Sequence, residues 1–558
     1  MLGNPFGGQD ERIAQILESE RLLAAGNLEQ AARLAEMVLL STPHAGMALN
    51  VLGHVSVRQG NGQLAVLLWE TATRAAPALP QPWVSLGEAF FHIGDLEKTI
   101  HCFSEALARN AELHDVRMNL GIALQNSGKH EAAVNELRRA LTAMPMHTEG
   151  PNALATSLHE LGRTHQAIDV LKEAAKKHPS NAKIMSNLGV LYEKSDKLED
   201  AIEWYGKSLA VMPDEAQGLF NRGSSLIQLL RLDEARQDWK RAMALEHKPG
   251  NVTKDTIACN LAILEMMDGN FIEGFELFET RWGVRHQKFP IPAPEWQGED
   301  LRGKHILLYV EQGLGDMLQF CRFAGVLKER YGCRITVSAL PVLHRLIRSC
   351  DGVDAVVDIK PPYPQVDCQL SLLSVPRVLK TTIETIPAKV PYLHAEAALV
   401  EKWKGRIGGP AGAKRIGLFW QGTQVDTNRI IRLNDLRALW QVPNCQFISL
   451  QKGPGEEEIG KFDLPLLALG HELTDYADTA AVLQNLDLLI TIDTSIAHAA
   501  GALARPVWAM IPYRPDWRWF LGRSDSPFYP TMRLFRQKVR KDWTATIAEV
   551  VAALVEGR

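Results

Sequence analysis

The hydrophobic and polar positions in the first half of the chain repeat every 34 residues. Three residue types mark the repeat at this spacing or its double: glycines at Gly53, Gly87, Gly121, Gly189 and Gly223, alanines at Ala31, Ala65, Ala133, Ala167, Ala201 and Ala235, and prolines at Pro43, Pro77, Pro145, Pro179 and Pro213. Because three independent series share one register, the pattern predicts stacked helical pairs. Small residues would let the two helices touch, and proline would end each second helix.

This register resembles the tetratricopeptide repeat. The predicted units begin near Arg12, Gly46, Pro80, His114, Thr148, Ala182 and Ala216. An eighth helical pair, roughly residues 255–282, keeps the signature but is displaced by an insertion around residues 247–253. Since repeats of this kind cannot bury their faces alone, we expect the eighth pair to cap the stack. The prediction is a repeat superhelix with its capping pair over residues 12–282.

A superhelix of this type has a concave groove lined by the first helix of each unit. Asparagine recurs two residues before the glycine position, at Asn119, Asn187 and Asn221. An asparagine can serve both the N–H and the C=O of an extended peptide, which makes these residues candidates for an acceptor-binding groove. The alternative is that asparagine is simply common at this position of the repeat.

The periodicity changes after a proline-rich polar linker at residues 283–303. The following segments alternate strand, glycine turn and helix, beginning with KHILLYV, EQGLGD and MLQFCRFAGVLKERYG. This order is typical of doubly wound α/β domains. We expect one such lobe at residues 304–395 and a second at 396–558, with a cleft between them.

Two short motifs in this half carry a resemblance to known enzymes. They are Gly313-Leu314-Gly315-Asp316 at the end of the first predicted strand, and Asp493-Thr494-Ser495 with His498. With them, the chain from about residue 300 onwards resembles the lipopolysaccharide heptosyltransferases. Its layout with repeats is similar to that of the O-linked N-acetylglucosamine transferases. The resemblance implies a GT-B fold of two Rossmann-like lobes and a nucleotide-sugar donor.

The first motif suggests a catalytic carboxylate. Glycines at a strand-to-helix turn allow close approach to backbone amides, and the carboxyl end of a parallel strand is where such folds bind ligands. The resemblance implies that Asp316 is the general base that deprotonates the acceptor hydroxyl, and we count Gly313 and Gly315 as donor-binding. The alternative is that Asp316 merely caps a helix beginning at Met317. A dinucleotide fingerprint is disfavoured, because Leu318 stands where its third glycine would be.

The second motif lies between an apolar strand and a helix of small residues. The first amides of that helix would favour a diphosphate. The resemblance implies that donor phosphate and sugar are bound by Asp493, Thr494, Ser495 and His498.

Two further strand ends should line the same cleft. They provide the donor-binding candidates Trp420, Gln421, Gly422, Gln451 and Lys452. Lys452 competes with Arg429 and Arg432 as the cation that neutralises phosphate, and the sequence does not rank the three. The aromatic residues Trp517, Trp519 and Phe528 could either close over a donor or pack between the lobes.

Composition narrows the function classes. The 61 basic and 65 acidic residues leave a net charge of −4, so no broad cationic surface for nucleic acid is expected. The seven cysteines show no C-x-x-C pair and predict reduced thiols. No secretory signal or membrane-spanning run is recognisable, which indicates a cytoplasmic protein without membrane insertion. The chain contains no D-x-D pair, so we expect no metal and no cofactor besides the donor substrate.

These observations together predict an inverting, metal-independent glycosyltransferase. It would move a sugar from a nucleotide-sugar to Ser or Thr of a protein that the repeats hold. Repeat-fused domains of this type also resemble bacterial flagellin glycosyltransferases, which makes flagellin a candidate acceptor. Two alternatives stay open: a non-catalytic repeat adaptor with a degenerate nucleotide-sugar-binding domain, and a transferase acting on envelope glycan or lipid.

Overall fold

The computed structural model describes residues 7–41, 46–245, 252–285, 289–311, 313–422 and 427–557. It divides the chain into two compact units, Met1–Ser225 and Leu226–Arg558. The division falls within a helix of the repeat register, and each unit has its own secondary-structure pattern.

The first unit consists of paired helices, as the 34-residue period predicts. They are α1 (Gly7–Ala24), α2 (Leu28–Ser41), α3 (Gly46–Arg58), α4 (Gly62–Ala75), α5 (Pro80–Ile93), α6 (Leu96–Arg109), α7 (His114–Asn126), α8 (His130–Ala143), α9 (Gly150–Glu160), α10 (Thr164–Lys177), α11 (Ala182–Lys194), α12 (Leu198–Val211) and α13 (Ala216–Gln228). Five predicted unit starts coincide with the first residue of a helix. The unit predicted at Thr148 begins two residues later, where Pro151 occupies the first turn.

The glycine series marks the closest approach within each pair. A Cβ atom added to Gly87 would lie 2.6 Å from the ring of Phe103, and one added to Gly189 would lie 2.6 Å from the ring of Tyr205. The large residue stands 16 positions after the glycine in both cases. The small residues therefore let the helices of a pair touch, as predicted.

A further series with the same period appears in the turn between the two helices of each unit. These turn residues have a left-handed backbone: Gly26, Gly60, Gly94, Gly128, Gly162, Asp196 and Leu230. The first five are glycines, which adopt this conformation without steric cost. The turn thus repeats as faithfully as the helix contacts.

The second unit begins with helices and continues into an α/β region. Its helices are α14 (Leu232–Ala244), α15 (Lys254–Met267), α16 (Phe271–Phe278), α17 (Arg281–Arg285), α18 (Leu314–Phe320), α19 (Phe323–Tyr331), α20 (His344–Ile347), α21 (Val375–Val378), α22 (Ala397–Ile407), α23 (Tyr476–Gln484), α24 (Ser495–Ala502) and α25 (Thr544–Glu556). Its strands are β1 (His305–Tyr309), β2 (Arg334–Ala339), β3 (Ala355–Asp358), β4 (Cys368–Ser371), β5 (Lys414–Phe419), β6 (Cys445–Ser449), β7 (Leu466–Ala468), β8 (Leu488–Ile492), β9 (Val507–Ile511) and β10 (Met532–Arg536).

The strands form two parallel sheets, so the predicted α/β class is confirmed. One sheet has the order β3-β2-β1-β4 and the other has the order β10-β9-β8-β5-β6-β7. In each sheet the first three strands in chain order follow one another towards one edge. The next strand then pairs with the other side of the first strand. The first sheet therefore changes direction between β1 and β4, and the second between β5 and β8.

The helical pair α15–α16 packs on the α/β region of its own unit. The ring of Phe271 stacks on Phe520 at 5.7 Å and on Phe528 at 6.3 Å. Arg281 in α17 is buried and pairs with Glu311, just beyond β1, at 2.6 Å. Residues near the predicted linker thus support the first sheet directly.

One predicted helix is split in two. The segment predicted as a single helix from Met317 begins earlier, at Leu314, and breaks between α18 and α19 at Arg322. The Arg322 side chain turns into the interior and donates to the carbonyls of Gln319 and Phe528, both at 2.8 Å. These bonds hold the break in place.

Candidate functional site

The turn after β1 presents a partly buried carboxylate. Gly313 is the N-cap of α18, and the Asp316 carboxylate accepts a hydrogen bond from the Gly313 N–H at 3.0 Å. Because α18 begins at Leu314, Asp316 lies within its first turn and caps α18 through this bond, three residues after the N-cap Gly313 rather than just before a helix at Met317. Its side chain is 16% exposed, so it stays accessible at the surface of the turn.

The turn after β8 presents the start of α24. Thr494 is the N-cap residue, but its hydroxyl donates to the Ile492 carbonyl at 3.4 Å and makes no capping bond. The Ser495 hydroxyl is engaged with the Tyr476 hydroxyl. The positive end of α24 therefore has no side-chain cap at its first turn, and a negative group would be stabilised there.

These two turns meet. A Cβ atom added to Gly315 would lie 3.0 Å from Cδ2 of His498 and 3.6 Å from Cα of Ser495. The turn after β5 joins them, because a Cβ atom on Gly422 would lie 3.1 Å from Cγ2 of Thr494. Glycine at both positions lets three strand ends come together. The structure thus brings the two sequence motifs into one site, in direct contact.

Asp493 is the buried acid at the end of β8. Its Oδ2 atom lies 3.3 Å from Nη1 of Arg429, whose side chain is 38% exposed. Burial raises the pKa of Asp493 to about 6, although Arg429 acts to lower it. Of the three cations that the sequence left unranked, Arg429 is the one at the helix terminus.

Asp316 pairs with an arginine from the other sheet. Its Oδ1 atom accepts from Nη2 of Arg518, which also donates through Nη1 to Asp516 at 2.8 Å and through Nε to Gln319 at 2.6 Å. Burial raises the pKa of Asp316, while the Arg518 guanidinium opposes that rise. Burial acts to raise the pKa of Asp516 too, but Arg518 holds it below its ordinary value.

His498 is buried beside the two turns. It is 5% exposed, stacks on Trp519 at 5.3 Å and bonds through Nδ1 to the Tyr529 hydroxyl at 2.9 Å. Burial, together with the charge of Arg518, lowers the pKa of His498 to about 3, so the ring is neutral. His498 therefore packs the two turns together, and its contact with a donor stays a prediction.

The candidates at the ends of β5 and β6 hold the second sheet together. The Gln451 side chain is fully buried, accepts from the backbone N–H of Trp420 and Gln421 at 3.0 Å each, and donates to the Gln421 and Pro454 carbonyls. Trp420 is fully buried and Gln421 is 7% exposed. Gln451 and Trp420 thus hold the ends of β5 and β6 together, and Gly422 borders the meeting turns.

The two remaining cations lie elsewhere. The Lys452 ammonium donates to the Leu473 carbonyl. Arg432 is exposed at the start of a 3-10 helix, where its N–H bonds to Asp435 at 3.3 Å.

The aromatic residues of the C-terminal segment are packing residues. Trp517 contacts Phe271 and Phe528 at 5.7 and 6.1 Å between ring centroids, and Trp519 stacks on His498. These ring contacts are packing contacts, and closure of the same residues over a donor stays a prediction.

The asparagines of the repeats lie on first helices, as predicted. Asn187 donates to Asn152 of the preceding pair at 2.7 Å, and Asn221 accepts from Gln217 at 2.8 Å. Asn119 lies in the middle of α7. At two of the three positions the amide thus already serves a neighbouring side chain.

Sequence reasoning missed Arg518, Asp516 and Tyr529. The only signal for them was the density of arginine and aromatic residues after β9. Among the residues that the structure describes, no group of three or more His, Cys, Asp or Glu side chains could hold a metal ion. In the same part of the chain, no helix is long and apolar enough to cross a bilayer.

The fold of the first unit defines a tetratricopeptide-repeat protein. Tetratricopeptide repeat models match residues 17–80, 114–145 and 152–210. Protein FlbA of Caulobacter vibrioides is 26% identical over 525 residues, which span 88% of this chain and 86% of that relative. The peroxisomal targeting signal receptor of Eremothecium gossypii is 34% identical over 119 residues, 21% of each chain. The crystal structure of YrrB, a TPR protein with an unusual peptide-binding site, covers 34% of this chain and 97% of its own at 18% identity and a TM-score of 0.32.

Proposed function

We propose that this protein is an inverting glycosyltransferase of the GT-B type. It would transfer a sugar from a nucleotide-sugar to a Ser or Thr hydroxyl of a protein acceptor, without a metal ion. The observation that carries the proposal is the meeting of the Asp316 turn with the Asp493 turn. Each sits where its sheet changes direction, which is where open α/β sheets bind ligands.

The donor diphosphate would lie at the start of α24. The uncapped first turn of that helix and the Arg429 guanidinium both favour negative charge there. The same two groups would stabilise the charge that develops on the leaving diphosphate. Gly315 and Gly422 border this position and, lacking side chains, would allow close approach of the donor.

Asp316 would act as the general base. Its carboxylate takes the proton from the acceptor hydroxyl as that oxygen attacks the anomeric carbon, and the bond from this carbon to the diphosphate breaks. The nucleoside diphosphate leaves with the bonding electrons. A single displacement of this kind inverts the anomeric centre and needs one base.

The repeats would bind the acceptor protein. Repeats of this kind are typical protein-binding modules, and the relationship to Protein FlbA runs through both halves of the chain. Their joint occurrence in a second protein supports a common task for the repeats and the α/β region. Flagellin is the acceptor we propose, on the resemblance noted for repeat-fused transferases.

The test is a binding panel of UDP-, GDP-, ADP- and CMP-linked sugars, read as a rise in thermal unfolding midpoint. We expect one nucleotide class to raise the midpoint, and the variant Arg429→Gln to weaken its binding by about tenfold, as for loss of a charge-assisted hydrogen bond. Arg437→Gln, an exposed arginine of the adjacent 3-10 helix, is the matched control. No response to any nucleotide-sugar would contradict the proposal and favour a repeat adaptor. Binding combined with transfer to lipid or glycan would favour the envelope alternative.

A further inference from the structure

Arg518 is held in a fixed position by its surroundings. Each of its three nitrogen atoms donates to a different side chain: Nε to Gln319, Nη1 to Asp516 and Nη2 to Asp316. The guanidinium also lies over the ring of Trp517 at 4.5 Å. Because the planar fork of arginine is already fully oriented, little side-chain freedom is lost when it binds a carboxylate.

The backbone around Arg518 is fixed by the same acid. Asp516 is the N-cap of the 3-10 helix Trp517–Trp519, and its carboxylate accepts from the Arg518 N–H at 3.0 Å. Asp516 thus binds both the backbone and the guanidinium of Arg518. The position of the Arg518 side chain is therefore fixed by contacts within its own segment, independently of Asp316.

Asp316 receives one hydrogen bond from each side of the site. Its Oδ2 atom accepts from the Gly313 N–H in its own turn, and its Oδ1 atom accepts from Arg518, which follows β9 of the other sheet. Two donors on different oxygens fix the rotation of the carboxylate. One of them comes from a residue 202 positions away in sequence.

We infer that Arg518 is a positioning residue for Asp316: it reaches from the second sheet and orients the carboxylate, so that the base is complete only when both sheets contribute to it. This inference rests on the proposed function. It differs from a role in binding the donor, because the guanidinium is directed at Gln319, Asp516 and Asp316.

The charges around Asp316 predict how the pH dependence of transfer should change when Arg518 is replaced. The titratable groups around the pair are Glu311 and Asp516, which raise the pKa of Asp316, and Asp493 and His498, which interact with Arg518. Arg429 acts in turn on Asp493, His498 and Asp516. The Arg518 charge is the largest influence that opposes the rise caused by burial, and the hydrogen bond from the Gly313 N–H adds to it. Removing its charge should raise the pKa of Asp316 further, so that the pH range over which the base loses its proton moves to higher values.

The experiment compares Arg518→Gln and Arg518→Lys with the wild-type chain between pH 6 and pH 9.5. Transfer to flagellin is followed by intact mass, with the nucleotide-sugar that gives the largest thermal shift as donor. Arg523→Gln is the control. Arg523 lies five residues after Arg518 and forms an exposed ion pair with Asp525. At pH 7 we expect Arg518→Gln to slow transfer about tenfold or more and to move the acid limb of the pH–rate profile to higher pH.

Two further results define the positioning role. At pH 9 the rate of Arg518→Gln should return to within about threefold of wild type, and its KM for the donor should stay within about threefold. Arg518→Lys keeps the charge and should keep the wild-type acid limb. An equal loss of rate at every pH would overturn the inference in favour of a purely structural role. A large rise in donor KM would overturn it in favour of donor binding.

A double-mutant cycle keeps the inference testable without any substrate. The thermal midpoints of Arg518→Gln, Asp316→Asn and the double variant are compared at pH 8. Removing Arg518 alone leaves a buried carboxylate uncompensated, so the double variant should lose less than the sum of the single losses. Additive losses would show that the pair is not coupled.

The transfer assays separate the proposed function from this inference. If Asp316→Asn retains full transfer, the proposed function fails. If Asp316→Asn is inactive but the acid limb of Arg518→Gln does not move, only this inference fails.

Discussion

Gly315 and His498 are packed so closely that a side chain on Gly315 would contact the imidazole. A Cβ atom there would lie 3.0 Å from Cδ2 of His498, and this ring is itself held by Trp519 and the Tyr529 hydroxyl. The contact joins the turn after β1 to the helix after β8. The absence of a side chain at Gly315 is therefore a condition for assembling the site.

Gly315→Ala should destabilise the protein despite placing a better helix former in α18. We expect a loss of about 1–3 kcal/mol in the free energy of unfolding, since His498 cannot move away without breaking its own contacts. Gly405→Ala in α22 is the control, because a Cβ atom there meets nothing within 4 Å. That variant should gain up to about 1 kcal/mol from helix propensity. Urea unfolding measures both, and equal changes would contradict the close contact.

Asp493→Asn should remove a pH dependence of stability. The pKa of Asp493 is raised to about 6 in the folded protein, mainly by burial, so its ionisation opposes folding. The stability contributed by the neutral Asp493 side chain is complete below pH 4 and is lost as the pH rises through about 6. Relative to Asp493→Asn, the wild-type chain should therefore lose about 3 kcal/mol between pH 4 and pH 7. His498 is present in both proteins, so its titration cancels in the comparison of unfolding curves. A constant difference, or one of opposite sign, would contradict the buried position of Asp493.

Arg281→Met should be strongly destabilising. Arg281 pairs with Glu311 at 2.6 Å and Glu279 at 2.8 Å, and both its side chain and that of Glu311 are almost fully buried. Loss of the cation leaves buried carboxylates uncompensated, for which about 3–5 kcal/mol is expected. Replacing Glu311 by Leu in addition should recover part of that loss.

The control for this prediction is Arg406→Met. Arg406 forms an exposed pair with Glu472 and should change the unfolding midpoint little. A similar midpoint for the two single variants would mean that Arg281 does not anchor the loop after β1.

The periodic part of the molecule was predictable because its contacts are local. Each helical pair closes within 34 residues, so Gly87 and Phe103 could be inferred from spacing alone. The strands with strong apolar runs were predicted for the same reason. The short strands β4, β7 and β10 were missed, since segments of three to five residues with polar neighbours carry little pattern.

The site was predictable only in its glycine turns and in two of its acids. Asp316 and Asp493 follow apolar strands, and parallel strands place their carboxyl ends together. The partner of Asp316 was not predictable, because Arg518 lies 202 residues away and no periodicity links them. The role of Gln451 was also hidden, since a glutamine that ties two strand ends looks the same in sequence as one that faces a ligand.

The central claim is that Asp316 performs chemistry in a transfer to protein. The most direct measurement is the intact mass of flagellin co-expressed with the wild-type chain, with Asp316→Asn and with Asp435→Asn. Asp435 accepts from the Arg432 N–H in the same capping position of another helix, at 3.3 Å, and so controls for loss of a cap. We predict sugar-sized mass increments with wild type and Asp435→Asn, and unmodified flagellin with Asp316→Asn. Flagellin of unchanged mass in all three, or full modification by Asp316→Asn, would contradict the account.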